Sequence, residues 1–193
     1  MADRTASLAA MDDRIAAAAF PGAALVAVPF LAQVGIRLDP DGPAAARVAA
    51  ALGLPLPEAN RVSESGGRRA LWLGPDEWLV VAADGEERAL VGILEDAIGA
   101  DGAVVDLSAN RTGLELSGPL SRDVLATCCS LDLHPRAFGS GRCAQTLVQK
   151  AGVLIEQRDD DTFLLLVRPS FAAYVAEWLL DGMAGLAADL AAV

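Results

Sequence analysis

One histidine, three cysteines and a polar cluster around position 108 are the side chains of this 193-residue sequence that could carry chemistry. His134 lies between Leu133 and Pro135 with no Ser or Cys nucleophile pattern beside it. It is a poor general base for a triad and reads as a structural or interface residue. Cys128 and Cys129 are adjacent, and Cys143 stands apart from them. Adjacent side chains diverge on a helix and no C-x-x-C pair exists, so a tetrahedral zinc site with His134 would be strained. The cysteines read instead as small apolar fillers near a helix end. Asp106 precedes Ser108-Ala109-Asn110-Arg111 at the end of an apolar strand. An Asp106–Arg111 ion pair fixing the turn is the structural reading; contact with a partner or ligand through Asn110 and Arg111 is the functional one. Asp76-Glu77 falls in a hairpin turn, where carboxylates accept backbone N–H bonds. Neither G-x-G-x-x-G nor G-x-x-x-x-G-K-[ST] occurs, and Gly139-Ser140-Gly141 reads as a structural turn rather than a phosphate grip.

The elements that must position these groups follow from periodicity. Leu8, Met11, Ile15 and Ala19 predict an amphipathic helix over 5–19, stopped by Pro21-Gly22. Strands are expected at 24–28 and 31–38, then a helix over 43–52 opened by Pro43. Ser63–Gly67 reads as a loop. The apolar runs 70–73 and 78–81 flank turn residues and predict a hairpin. A helix follows over 86–98 with Leu90, Ile93, Leu94 and Ala97 on one face. The second half repeats the order: strands at 103–107 and 112–117, a helix over 119–127, strands at 144–149, 152–157 and 162–168, and a last helix. That helix is expected to bury Phe171, Tyr174, Val175, Trp178 and Leu179. Trp72 and Trp78 are likewise expected in the core.

Pairing the halves gives an internal duplication, each unit short of a full core alone. The expected fold class is α+β, with antiparallel sheets and outer helices. The expected organisation is an N-terminal helix or extension over 1–22 and a single domain over 23–185. That domain divides into pseudo-repeats at about 23–102 and 103–185, with a tail over 186–193.

Twenty-six acidic residues against fifteen basic leave a formal charge of -11. That balance repels phosphate backbones and anionic membranes, so nucleic acid is not an expected partner. The uncharged stretch between Arg14 and Arg37 is long enough to span a bilayer, but Pro21-Gly22, Pro29 and Gln33 break it. Asp3, Asp12 and Asp13 disfavour a leader peptide. The odd cysteine count argues for a reducing compartment, the cytoplasm. With no base, nucleophile or cofactor motif, a subunit is a better reading than a self-sufficient enzyme. Its Ala, Leu and Val content predicts an exposed apolar patch on the isolated chain.

The residue strings add a family. Val105–Pro119 (VDLSANRTGLELSGP), Arg122–Leu125, Ser130–Phe138 (SLDLHPRAF), Gly141–Leu147 and Val167–Phe171 resemble the gamma subunits of sarcosine oxidase. Phe30–Val34, Ala51–Pro57 and Leu73–Leu79 are similar in the first half, and the likeness spans about 28–182. The resemblance implies a heterotetrameric oxidoreductase that demethylates sarcosine to glycine, passes the one-carbon unit to tetrahydrofolate and makes hydrogen peroxide. It implies alpha and beta chains holding FAD, NAD and covalent FMN, and a delta chain binding zinc. It also implies a gamma chain similar in fold to the folate-binding domain of aminomethyltransferases, a duplicated ferredoxin-like architecture. No catalytic, cofactor or metal residue is carried over to this chain. A free-standing folate-binding protein of the aminomethyltransferase-like superfamily is the alternative. Gly141-Arg142-Cys143-Ala144-Gln145 only partly echoes the K-G-C-x-x-G-Q stretch of one of its branches. A structural protein without a small-molecule ligand is the third class. The slightly basic 108–142 region is the expected partner surface, with Asn110, Arg111, His134, Arg136 and Phe138 as its candidates.

Overall fold

A computed structural model of the chain describes residues 4–192, so Asp3 and Val193 lie outside the described residues. A 3-10 turn at Ala9–Met11 leads into a short helix α1, Asp12–Ala17, where one continuous helix over 5–19 is expected. Leu8 and Ile15 are buried; Ala19 is exposed. Strands β1 (Ala24–Val28) and β2 (Ala32–Leu38) precede helix α2 (Pro43–Leu52). Local chemistry bounds α2 at both ends. Pro43 lacks only an N–H that the first turn leaves unpaired anyway. Gly53 takes the left-handed conformation at φ 68, and its N–H caps the Ala49 carbonyl. Between them Ala44, Val48 and Leu52 recur every four residues and form the buried stripe.

Strands β3 (Val62–Ser65), β4 (Arg68–Gly74) and β5 (Glu77–Ala82) follow, then helix α3 (Glu87–Ile98). The segment expected as a loop at 63–67 is therefore strand β3 and its turn. It is an edge strand laddered to β4, with Val62 N also donating to the Gly141 carbonyl at 2.9 Å. Only its backbone must pair, so a polar sequence serves there. Trp78 is buried in β5 and its Nε1 donates to the Pro57 carbonyl at 3.0 Å, satisfying the indole N–H. Trp72 is half-buried against the same core.

The order then repeats as β6 (Gly102–Asp106), β7 (Thr112–Ser117), helix α4 (Ser121–Ala126), β8 (Arg142–Val148), β9 (Ala151–Gln157), β10 (Thr162–Val167) and helix α5 (Pro169–Ala191). The expected tail is helical through Ala191. The face of α5 also differs from expectation: Phe171 is 44% and Trp178 36% exposed. The buried stripe is Ala172, Val175, Ala176, Leu179, Leu180, Gly182 and Met183. A Cβ on Gly182 would sit 2.7 Å from Thr127 Oγ1, so small residues let α5 lie close to the end of α4. The bulky aromatics are left on the outer face.

Both halves thus read β-β-α-β-β-β-α, the duplication expected from the sequence. The sheets are antiparallel, in the orders β1-β7-β10-β9-β8 and β3-β4-β5-β2-β6. The leading strand of each half is exchanged. β1 pairs with β7 (Leu25 opposite Leu116), and β6 pairs with β2 (Ile36 opposite Val104). The two compact units follow the sheets rather than the chain order. One comprises residues through Pro29, Arg111–Ser140 and those from Gln145 on; the other comprises Phe30–Asn110 and Gly141–Ala144. We propose about 23–102 and 103–185 as repeats in chain order, which the exchanged strands cross. The core of the second unit joins Val34 and Ile36 of β2, Val48 of α2, Trp78 and Val80 of β5, and Leu90 and Leu94 of α3.

Candidate interface surfaces

The connector 130–140 is ordered by Arg122, on α4. Its guanidinium donates to the Leu133 carbonyl and, at 3.1 Å, to the Phe138 carbonyl, and lies 5.1 Å from the centre of the Phe163 ring. The loop supplies its own turns. Asp132 Oδ1 accepts from His134 N at 3.0 Å, and His134 Nδ1 accepts from Arg136 N at 3.2 Å. His134 and Arg136 are exposed. Phe138 is not: at 4% exposure its ring packs inside the chain, a correction to its place among candidate contact residues. An aromatic in a connector that carries Asp132, His134 and Arg136 looks like a surface residue until the Arg122 clamp on the Leu133 and Phe138 carbonyls is seen. Sequence reasoning missed Arg122. The signal for it was the connector itself, whose carbonyls needed donors from elsewhere.

At the other candidate segment, Asp106 Oδ1 accepts from Ser108 N at 2.9 Å and from Ser108 Oγ at 2.6 Å. Ser108 Oγ also accepts from Gln33 N at 3.0 Å, tying the turn to β2. The carboxylate holds the turn through the serine, a role that the expectation had given to Arg111. Asn110 and Arg111 are half-buried; Asn110 falls in the second compact unit, and the other four candidates fall in the first.

Two further surfaces lie on exposed apolar strands. A groove of about 410 Å³ is lined by Ile15, Ala16 and Ala19 of the α1 segment and by Leu25, Val26 and Pro29. Val26 there is 52% exposed. Strand β6, an edge of its sheet, exposes Ala103 and leaves Val105 54% exposed. An open edge with apolar side chains is a ready site for pairing with another chain.

The cysteines are all free and buried. Burial pushes the Cys128 thiol up to about 11, far from a reactive thiolate. Cys143 Sγ donates toward the Arg61 and Trp72 carbonyls at 3.2 and 3.5 Å. Among the described residues no group of three or more His, Cys, Asp or Glu is placed to hold a metal ion, and no helix is long and apolar enough to cross a membrane.

The fold defines the class. The chain superimposes on aminomethyltransferase T of the glycine cleavage system from Bartonella henselae with a TM-score of 0.62. The match covers 86% of this chain and 48% of that one at 20% identity, a likeness of fold. Residues 37–185 match the family model described as the sarcosine oxidase, gamma subunit family, and the chain belongs to that family. It is 40% identical over 168 residues to the sarcosine oxidase subunit gamma of an Arthrobacter species, covering 86% of this chain and 82% of the relative. It is equally identical over 166 residues to that of Corynebacterium sp. strain P-1, covering 84% and 80%. A chain in the structure of heterotetrameric sarcosine oxidase from Corynebacterium sp. U-96 in complex with pyrrole 2-carboxylate superimposes with a TM-score of 0.88. There the identity is 37%, over 94% of this chain and 95% of that one.

Proposed function

We propose that this chain is the gamma-type subunit of a heterotetrameric sarcosine oxidase, an oxidoreductase in which it serves assembly rather than the chemistry. The observation that carries this reading is the match over nearly the whole of both chains to a component of that complex. The same match favours a subunit over a free-standing aminomethyltransferase-like protein, whose known example it covers only by half. The residue inventory agrees: the thiols are buried, and His134 spends one ring nitrogen on its own turn.

In this reading the partners are alpha, beta and delta chains. FAD, NAD, FMN, tetrahydrofolate and zinc belong to the complex through those chains, and no step of the reaction is assigned to a residue of this one. The buried free thiols are consistent with the cytoplasm. For the partner surface we keep the exposed pair His134 and Arg136, with Asn110 and Arg111, and give Phe138 the role of shaping the loop from beneath. The test is a pull-down of the tagged chain from its native host with an absorbance spectrum of the eluate. Co-elution of larger chains in equal stoichiometry with a flavin spectrum is the expected result. A colourless chain eluting alone sinks the reading, and intact assembly after Arg136→Glu removes Arg136 from the interface.

A further inference from the structure

Four of the chain's ten prolines come together around two tryptophans. Pro40, Pro55, Pro57 and Pro75 line a groove of about 340 Å³ within the second compact unit, with Trp72 and Trp78 in its wall. The two tryptophans are directly opposed across β4 and β5, so both indoles project from the same face of the sheet. Trp78 is buried and donates its indole N–H to the Pro57 carbonyl at 3.0 Å. Trp72 is half-buried, and its indole N–H has no hydrogen-bond partner among the described residues. That N–H is not sealed in the interior but keeps contact with solvent. Ala45 and Ala49, one turn apart on α2, complete the lining, and their small side chains keep it open.

The lining selects its occupant. Strands β4 and β5 are each paired on both sides, so neither has an open ladder for an added strand. Proline has no backbone N–H, so the four proline positions offer rings and carbonyls but no amide donor. The Trp72 indole is the donor left, and it calls for an occupant with a free carbonyl. A helix has already bonded its carbonyls internally. A polyproline II segment makes no internal hydrogen bonds, leaves its carbonyls free and docks in aromatic-lined grooves. Charge supplies the last feature. Glu58, exposed beside Pro57, also lines the groove and has no ion-pair partner among the described residues. We propose that this groove seats a proline-rich polyproline II segment of another subunit, with one carbonyl accepting from Trp72 Nε1 and a flanking Lys or Arg facing Glu58. The source of the segment rests on the proposed assembly, in which an apolar groove is covered by a neighbouring chain. The volume lies at the low end of the roughly 300–1,000 Å³ span of ligand pockets and suits a contact of a few residues.

The first experiment titrates the full chain with the peptide acetyl-Pro-Pro-Leu-Pro-Pro-Arg-amide and follows the indole N–H resonances, that of Trp72 being assigned through Trp72→Phe. A saturable shift of the Trp72 resonance, with a dissociation constant of about 0.1–1 mM, is expected. Anisotropy of the labelled peptide compares variants. Trp72→Phe keeps a ring and weakens binding about three- to tenfold, the loss of one hydrogen bond. Glu58→Gln weakens it about two- to fivefold, an effect that salt abolishes in the wild type. Ala49→Leu fills the groove and blocks binding with every charge in place. A peptide with alanine for each proline does not bind. Absence of a saturable shift, equal binding of the alanine peptide, or binding that Ala49→Leu leaves unchanged overturns the proposal. So does a Trp72 shift on concentrating the chain alone, which would put a second copy in the groove. The second experiment uses the purified complex. Its groove is filled, so the labelled peptide should bind at least about tenfold more weakly than to the free chain. A complex that binds the peptide as the free chain does overturns the docking. A chain that recovers no other subunit refutes the assembly instead, and the peptide titration still reads whether the groove takes such a segment.

Discussion

Replacing Arg122 by alanine removes the clamp on the 130–140 connector, and the cost can be worked from its contacts. Two carbonyls, those of Leu133 and Phe138, lose a charged donor; the third contact, to the Asp160 carbonyl at 3.4 Å, is too long to weigh. A hydrogen bond to a charged group contributes about 1.5 kcal/mol at the low end of its range, the end suited to a half-buried side chain. The guanidinium over the Phe163 ring adds about 0.5–1 kcal/mol. Arg122→Ala is therefore expected to cost about 3–4 kcal/mol, a fall in Tm of roughly 10 °C for a chain of this size. Arg122→Lys keeps a cation over the ring but cannot fork to two carbonyls, and should cost about half as much. Urea denaturation followed by circular dichroism measures both. Hydrogen exchange localises the change: the amides of Ala137 and Phe138, bonded to the His134 carbonyl at 2.8 and 2.9 Å, should lose protection first. A loss below about 1 kcal/mol, equal for alanine and lysine and with exchange unaltered, refutes the reasoning.

The remaining predictions concern the thiol, two glycines and two tryptophans. Cys128 titrates near 9.0 when unfolded and near 11 when folded, so between those values the folded state holds more protons. Its contribution is complete below pH 9 and is lost as pH rises toward 11. Urea midpoints should fall across that window in the wild type and by less in Cys128→Ala; an identical fall in both removes the thiol from the account. Gly102→Ala places a Cβ 2.2 Å from the Arg37 carbonyl oxygen and should cost about 1–3 kcal/mol by forcing β6 from β2. Gly92→Ala, in α3 with nothing within 4 Å, should instead raise stability by about 0.5–1 kcal/mol; calorimetry on the pair reads the contrast. Trp78→Phe strands the Pro57 carbonyl and should cost about 1–3 kcal/mol in urea titrations. Trp72→Phe, half-buried, should cost less.

Legibility followed the range of the interactions. Helix α2 was readable to the residue because Pro43, Gly53 and the stripe Ala44, Val48, Leu52 all act locally. Strand β7, expected and found at 112–117, alternates cleanly enough to need no context. Strand β3 was not readable, since an edge strand is specified by the neighbour it bonds and not by its own polar sequence. The face of α5 was misread because aromatic rings dominate a hydropathy pattern, while Ala172, Ala176 and Gly182 decide where another helix can approach. The exchange of β1 and β6 left no mark on periodicity, because either strand would look the same in the other sheet. Among the candidate contact residues, exposure of His134 and Arg136 followed from their turn chemistry. The burial of Phe138 depended on Arg122, a contact made across a loop.

The exchanged strands also set a timetable. As the chain is made, β2, β3, β4 and β5 are all available once Ala82 has been added, yet their sheet stays one member short until Asp106 follows. β1 waits still longer, because its partner β7 ends at Ser117 and β10, the next strand in, ends at Val167. During that interval both β1 and the open side of β2 offer unpaired backbone to any neighbouring nascent chain. A second copy that supplied its own β6 or β1 would satisfy the same ladders, and two chains would then be threaded through one another. A gene cut between α3 and β6 would accordingly yield two mutually dependent pieces, each carrying a strand that the other's sheet requires.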